Sequence, residues 1–247
     1  MTKKSIKTWA RCCYLIAIHL VLGFVLWKSN FVFTTARYFG IVALEEQSPR
    51  YRSIVQRHSR RAVQVPAGAT LIIGDSLVES MCVTTVCDRA VNFGIGGDTT
   101  VGVLNRLKVC ETAIDRASFV VIAIGVNDFL FRDDEAISKN IQRILQQLPN
   151  KKVMVSAVLP VDEKVQQRAT MNSKIGQLNK KLHEFCMAIE NVRFVDSTSL
   201  LDSNGDGNLD PRLHTGDGLH LNASGYAIWT GNLRDKLNHW RTNAEAK

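Results

Sequence analysis

Five short apolar runs, at residues 71–73, 90–93, 119–124, 153–159 and 192–195, recur along the chain from residue 69 onward. Each is brief, and the first, Leu71-Ile72-Ile73, is apolar without alternation, the pattern of a strand covered on both faces rather than of one with a wet side. Amphipathic stretches at 77–83, 100–110, 135–148, 166–189 and 223–240 follow the runs, with apolar positions at helical spacing. Strand and helix in strict alternation predict an α/β domain: a three-layer α/β/α sandwich around a five-stranded parallel sheet. No internal repeat or low-complexity segment competes with that reading.

The first part of the chain has a different pattern. Residues 12–27 are apolar except for His19, with Lys3, Lys4, Lys7 and Arg11 before them and Lys28 after. As a helix this run is roughly 24 Å long, short of the ~30 Å hydrocarbon core of a bilayer, so it needs snorkelling flanks. The expectation is an N-terminal transmembrane helix acting as an uncleaved signal anchor; a cleaved signal peptide and a buried helix are the alternatives. That expectation makes a single-pass membrane protein with a cytoplasmic N-terminus and an exported domain, facing the periplasm from a bacterial inner membrane. Residues 29–67 read as a juxtamembrane stalk, ended by Pro66 and Gly68. The expected partition is therefore 1–28 basic tail and anchor, 29–67 stalk and 68–247 globular domain.

Composition sharpens this picture in two ways. With 247 residues, 45% hydrophobic and 22% charged, the chain holds one ordinary folded domain and an appendage. The formal net charge of +8 is concentrated early, including Arg50, Arg52, Arg57, Arg60 and Arg61. No basic-aromatic module accompanies it, so nucleic acid is not an expected partner, and a membrane surface explains the charge better. The six cysteines contain no Cys-x-x-Cys pair, and zinc is not expected. Cys82 and Cys87 flank a short segment and could close a small loop in an oxidising compartment.

Candidate chemistry sits where predicted strands end. Gly74-Asp75-Ser76-Leu77 follows the first run, and a serine in a strand-to-helix turn offers both its hydroxyl and its N–H to a cleft. The second run leads into a loop containing Gly94, Gly96 and Gly97 before Asp98-Thr99-Thr100; it lacks Gly-Lys-Ser/Thr and the Gly-x-Gly-x-x-Gly spacing of nucleotide loops. Asn127 follows the third run and suits either an oxyanion donor or an Asx turn. Asp217 stands three residues before His220, a spacing at which a carboxylate can hold an imidazole tautomer. His214 is a nearby competitor without an acid at that spacing. Residues 202–210 match the first half of a calcium loop, but Leu213 takes the position of the bidentate glutamate, so a surface turn is expected and no metal. Taken singly, each of these stretches reads first as an ordinary turn, cap or polar loop.

Together and in this order, the four blocks resemble the SGNH hydrolases, also called the GDSL family. Gly74-Asp75-Ser76-Leu77 is similar to the nucleophile block, Gly97 to the glycine block, Asn127 to the asparagine block, and Asp217 with His220 to the last. The runs around Gly97 and His220 look most like the platelet-activating-factor acetylhydrolase-like branch. The resemblance implies a flavodoxin-like SGNH hydrolase fold and a serine esterase with Ser76, Asp217 and His220 as its catalytic residues. It implies an oxyanion hole from the N–H groups of Ser76 and Gly97 and the Asn127 side chain, with no cofactor. The expected substrate is a short acyl or acetyl ester, of a glycan or small molecule, or a lysophospholipid. An O-acyltransferase acting on an envelope glycan and a non-catalytic tethered binding protein are the alternatives.

Overall fold

The computed structural model describes residues 3–28 and 48–245. The chain divides into two compact units, Met1–Ser53 and Ile54–Lys247. In the first unit, helix α1 covers Lys3–Lys28. Helix α2, Pro49–Ala62, begins in the first unit and continues into the second, where Ile54, His58 and Ala62 are buried. The segment expected as a stalk thus contains a helix, and its residues 29–47 lie outside the described ones.

The expected membrane anchor is corrected by the structure. Among the described residues, no helix is long and apolar enough to cross a membrane. Helix α1 has length, but its apolar portion is bounded by Arg11 and Lys28 and interrupted by His19, leaving roughly 24 Å against the ~30 Å required. The transmembrane helix in the expected architecture and the single-pass, exported localisation are withdrawn on that finding.

The second unit is built on five parallel strands, β1 (Ala69–Gly74), β2 (Ala90–Gly94), β3 (Ala117–Ala123), β4 (Lys152–Ser156) and β5 (Val192–Val195). Their order in the sheet is β2-β1-β3-β4-β5, with Ile72 paired to Asn92 on one side and Val121 on the other. Successive side chains of a strand point to opposite faces, and the core divides accordingly. Leu71, Ile73, Val120, Ile122, Val153 and Val155 pack on one face, against helices α4 (Thr100–Arg106), α6 (Asp134–Gln146) and α8 (Met171–Met187). Ile72, Val121, Met154 and Val195 pack on the other, against α3 (Ser76–Glu79) and α10 (Ala223–Glu245). Ile137, Ile141 and Ile144 of α6, and Trp229, Leu233 and Leu237 of α10, recur every three or four residues and are all buried. The three-layer α/β/α sandwich with a five-stranded parallel sheet is as expected.

Departures are local. The helix expected at 100–110 ends at Arg106 and is followed by α5, Glu111–Arg116, which leads directly into β3. The helix expected at 166–189 is two: α7, Glu163–Gln166, and α8. Gln167 (φ +52°) and Thr170 (φ +70°) break it in the left-handed region. The Glu163 carboxylate accepts from Asn172 N–H at 2.7 Å, a tertiary bond that fixes the break and is invisible to helical periodicity. Strand β4 stops at Ser156, level with the end of β5, although the apolar run continues to Leu159. The remaining short helix, α9, covers Thr198–Leu201.

Candidate active site

Every candidate residue lies beyond the carboxyl end of a strand or in the loop before α10, where open parallel sheets bind their ligands. The turn from β1 into α3 is tight: a Cβ on Gly74 would lie 2.1 Å from the Ala123 carbonyl oxygen, so only glycine fits there. Asp75 then caps α3, its carboxylate accepting from Leu77 N–H at 3.0 Å. Burial raises the Asp75 carboxyl to about 7, with the negative charges of Asp98 and Asp128 adding to the effect. Ser76 opens α3, so its own N–H is one of the helix's unpaired donors. Tyr226 of α10 donates its hydroxyl to the Leu77 carbonyl at 2.8 Å, tying α3 to the far helix.

The Ser76 hydroxyl lies 2.9 Å from His220 Nε2. His220 Nδ1 lies 2.5 Å from an Asp217 carboxylate oxygen, and the other oxygen of that carboxylate accepts from the N–H groups of Leu219 (2.9 Å) and His220 (2.8 Å). A carboxylate facing Nδ1 requires the proton there, which leaves the Nε2 lone pair toward Ser76. Partial burial works against ionisation of Asp217, but the His220 ring and the two N–H groups outweigh it and hold the carboxyl down at about 2. The three side chains named from sequence therefore form one connected row, able to draw the hydroxyl proton from Ser76 onto a stabilised imidazole. The row is open to solvent: the side chains of His220 and Asp217 are 40% and 44% exposed.

Asn127 is tied to the loop that carries Gly97. Gly97 adopts φ +75° in the loop after β2, and Asn127 donates its side-chain amide to the Asp98 carbonyl at 3.0 Å. One amide hydrogen is thereby committed, which fixes the direction of the other. Beneath this loop lies a buried polar network. Arg106 of α4 pairs with Asp98 at 2.8 Å and donates to the Gly74 carbonyl at 3.2 Å, linking the glycine loop to the end of β1 two residues before Ser76. Asp128 accepts from Thr100 N–H (2.8 Å), the Thr100 hydroxyl (2.6 Å) and Arg132 (3.1 Å), linking the Asn127 turn to the start of α4. Arg106 carried a signal in the sequence, a charge on the apolar side of an amphipathic stretch; Asp98 and Asp128 sat beside named positions without being distinguished from them.

His214 has an acid after all, supplied from another element: Asp162 at the start of α7, 3.5 Å from Nε2. The segment 202–210 is a hydrogen-bonded turn in which the Asp202 carboxylate accepts from Asp206 N–H (3.1 Å) and Gly207 N–H (2.8 Å). Asp210 binds Arg212 at 2.7 Å and also the Ser203 hydroxyl. Cys82 and Cys87 are both free thiols.

The sequence profile of the GDSL-like lipase/acylhydrolase family matches residues 72–228, a span that takes in all of the residues just described. The chain belongs to that family. The alpha2 subunit of platelet-activating factor acetylhydrolase IB from Homo sapiens is 32% identical over 167 residues, 64% of this chain and 70% of the relative. A structure of a platelet activating factor from Streptococcus pneumonia superposes with a TM-score of 0.67 at 24% identity, covering 90% of this chain and 99% of that one. A lipase/acylhydrolase from Enterococcus faecalis gives a TM-score of 0.59 at 21% identity, covering 68% and 95%. The two structural matches carry the fold; the family profile and the acetylhydrolase relative carry the chemistry. This GDSL-like protein is a hydrolase of ester bonds on the acetylhydrolase-like branch.

Proposed function

We propose that the protein is a serine esterase that cleaves short acyl esters, acetyl above all, using Ser76 as nucleophile, His220 as general base and then general acid, and Asp217 to orient and stabilise the imidazolium. The observation that carries this reading is the unbroken row from the Ser76 hydroxyl through His220 to Asp217. His220 takes the hydroxyl proton as Ser76 adds to the ester carbonyl, then returns it to the departing alcohol, leaving an acyl-serine. Water, activated by the same imidazole, releases the acid and restores Ser76. The N–H groups of Ser76 and Gly97 and the free amide hydrogen of Asn127 receive the developing oxyanion. A metal is not needed at any step of this sequence.

The half-exposed row favours a small acyl group carried on a bulky or polymeric alcohol, which can remain largely in solvent while its ester reaches Ser76. The name of the 32%-identical acetylhydrolase relative points to the same acyl group. Assay of p-nitrophenyl esters from acetyl to long chain, beside acetylated glycans and a lysophospholipid, tests the reading. The expected result is turnover that falls with chain length and vanishes in Ser76→Ala. Full activity in Ser76→Ala overturns the mechanism, and a preference for long chains overturns the substrate class.

A further inference from the structure

The loop carrying Asp217 and His220 is folded around a second imidazole. His214 is almost fully buried, with 4% of its side chain exposed, and its Nδ1 accepts from two backbone N–H groups, those of Gly216 (3.0 Å) and Gly218 (3.2 Å). Both donors are obligatory, so Nδ1 is unprotonated and the ring hydrogen resides on Nε2. That hydrogen is directed toward the Asp162 carboxylate 3.5 Å away, a distance of electrostatic pairing rather than of a formed hydrogen bond, and Nε2 has no closer partner.

Asp162 is itself fixed. One carboxylate oxygen caps α7 by accepting from Lys164 N–H (3.0 Å) and Val165 N–H (3.3 Å), and its backbone N–H donates to the Gly218 carbonyl at 2.8 Å. Gly218 therefore has both backbone groups engaged, its N–H by His214 and its carbonyl by Asp162. It also has φ +74°, and a Cβ there would lie 2.9 Å from Val165 Cβ. The base of the loop is closed by the antiparallel bridge between His214 and Leu221 and by Thr215 N–H donating to the His220 carbonyl at 2.8 Å. Gln166 at the end of α7 donates to the Asp217 carbonyl at 2.6 Å. Neither His214 nor Asp162 touches Ser76, yet the Gly218 N–H, the Gly218 carbonyl and the Asp217 carbonyl, three of the backbone groups that shape the turn between Asp217 and His220, are held by His214, Asp162 and α7 respectively.

We propose that Asp162 and His214 form a positioning pair that holds the Asp217–His220 turn at the one geometry in which His220 Nε2 reaches Ser76. This rests on the roles given above to Ser76, Asp217 and His220. Removing the Nδ1 acceptor frees the N–H of Gly216 and the buried N–H of Gly218, and displacement of His220 by about 1 Å is worth roughly 10²-fold in rate.

The test is steady-state hydrolysis of p-nitrophenyl acetate by His214→Leu, which has similar bulk and no acceptor, and His214→Asn, whose amide oxygen restores one near Nδ1. His214→Leu is expected to lose roughly 10²-fold in kcat with KM nearly unchanged, and His214→Asn to recover most of that loss. In an Asp217→Asn background the loss caused by His214→Leu shrinks, because both changes act through the orientation of His220. Unchanged kcat in folded His214→Leu, or an equal loss in both backgrounds, overturns the pair while leaving the esterase reading intact. Full turnover in Ser76→Ala overturns both. If His214→Leu does not fold, Asp162→Asn replaces it: the amide keeps the cap on α7 but turns an N–H toward the Nε2 hydrogen. A drop in kcat of about tenfold is then expected, and wild-type kcat overturns the pair.

Discussion

Ser76 and His220 stand 144 residues apart in the chain and 2.9 Å apart in space. Two different elements set that distance: a tight turn at Gly74 that lifts Ser76 above the sheet, and a loop ahead of α10 that lowers His220 toward it. In the proposed mechanism each side chain depends on the other, so Ser76→Ala is expected to abolish ester turnover, a loss on the order of 10⁶-fold. Asp217→Asn keeps the shape but removes the charge that fixes the Nδ1 proton, and about 10⁴-fold is expected. Kinetics of the two variants on p-nitrophenyl acetate, with circular dichroism to establish folding, provide the check.

Asn127 donates to the Asp98 carbonyl at 3.0 Å, which leaves one amide hydrogen for an oxyanion. Loss of a donor of this kind costs ~3 kcal/mol of barrier, so Asn127→Ala is expected to lower kcat by about two orders of magnitude with little change in KM. Asn127→Asp, isosteric but without the hydrogen, should fall at least as far. Wild-type kcat in either variant removes Asn127 from the mechanism.

Much of this site could be read in the sequence because its parts are local. Gly-Asp-Ser at a strand end and Asp-x-x-His before a helix each carry their geometry within a few residues, and the buried parallel strands announce themselves as unbroken apolar runs. What could not be read is tertiary. Asp162 meets His214 only because α7 folds back onto the loop before α10, and the break at Gln167 that permits this has no propensity signal. Arg106 stands on the apolar side of its amphipathic stretch, but its partner Asp98 comes from the loop before that helix, and nothing in the spacing pairs the two. The N-terminal run misled for a different reason: apolar character between basic flanks matches an anchor in kind, but its length falls short.

Two buried groups give the protein opposing responses to pH. Burial, and after it the positive charges of Arg106, Arg61 and Arg57, lower His58 from 6.5 to about 3, while burial raises Asp75 from 3.8 to about 7. The unfolded chain protonates His58 below pH 6.5 when the folded one does not, so this group withdraws stability as pH falls from 6.5 toward 3. The unfolded chain ionises Asp75 above pH 3.8 while the folded one stays neutral, so this group withdraws stability as pH rises from 3.8 to 7. Each contribution is on the order of a few kcal/mol. Denaturant titrations from pH 4 to pH 8 are expected to show opposite tilts relative to wild type. His58→Phe, which keeps the contact with the Phe93 ring 4.7 Å away, gains stability toward acid, and Asp75→Asn gains it above pH 7. Tilts of the same sign would disprove the assignment.

The Asp98–Arg106 pair is the most deeply buried charge contact at the site, with side chains 0% and 3% exposed. Such a pair stabilises little on balance, since desolvation offsets most of the attraction, but removing one partner strands the other. Arg106→Leu is therefore expected to cost about 3–5 kcal/mol and Asp98→Asn a comparable amount, read from chemical denaturation. The double variant should recover part of the sum, because it leaves no orphaned charge. Arg106 also donates to the Gly74 carbonyl, and the backbone carbonyl of Asp98 accepts from Asn127, so loss of the side-chain pair loosens the loop that carries Gly97 and this carbonyl together. For that reason kcat in the double variant should stay well below wild type even where stability is regained. Recovery of both together would mean that the pair supports the fold alone and has no part in holding the oxyanion donors.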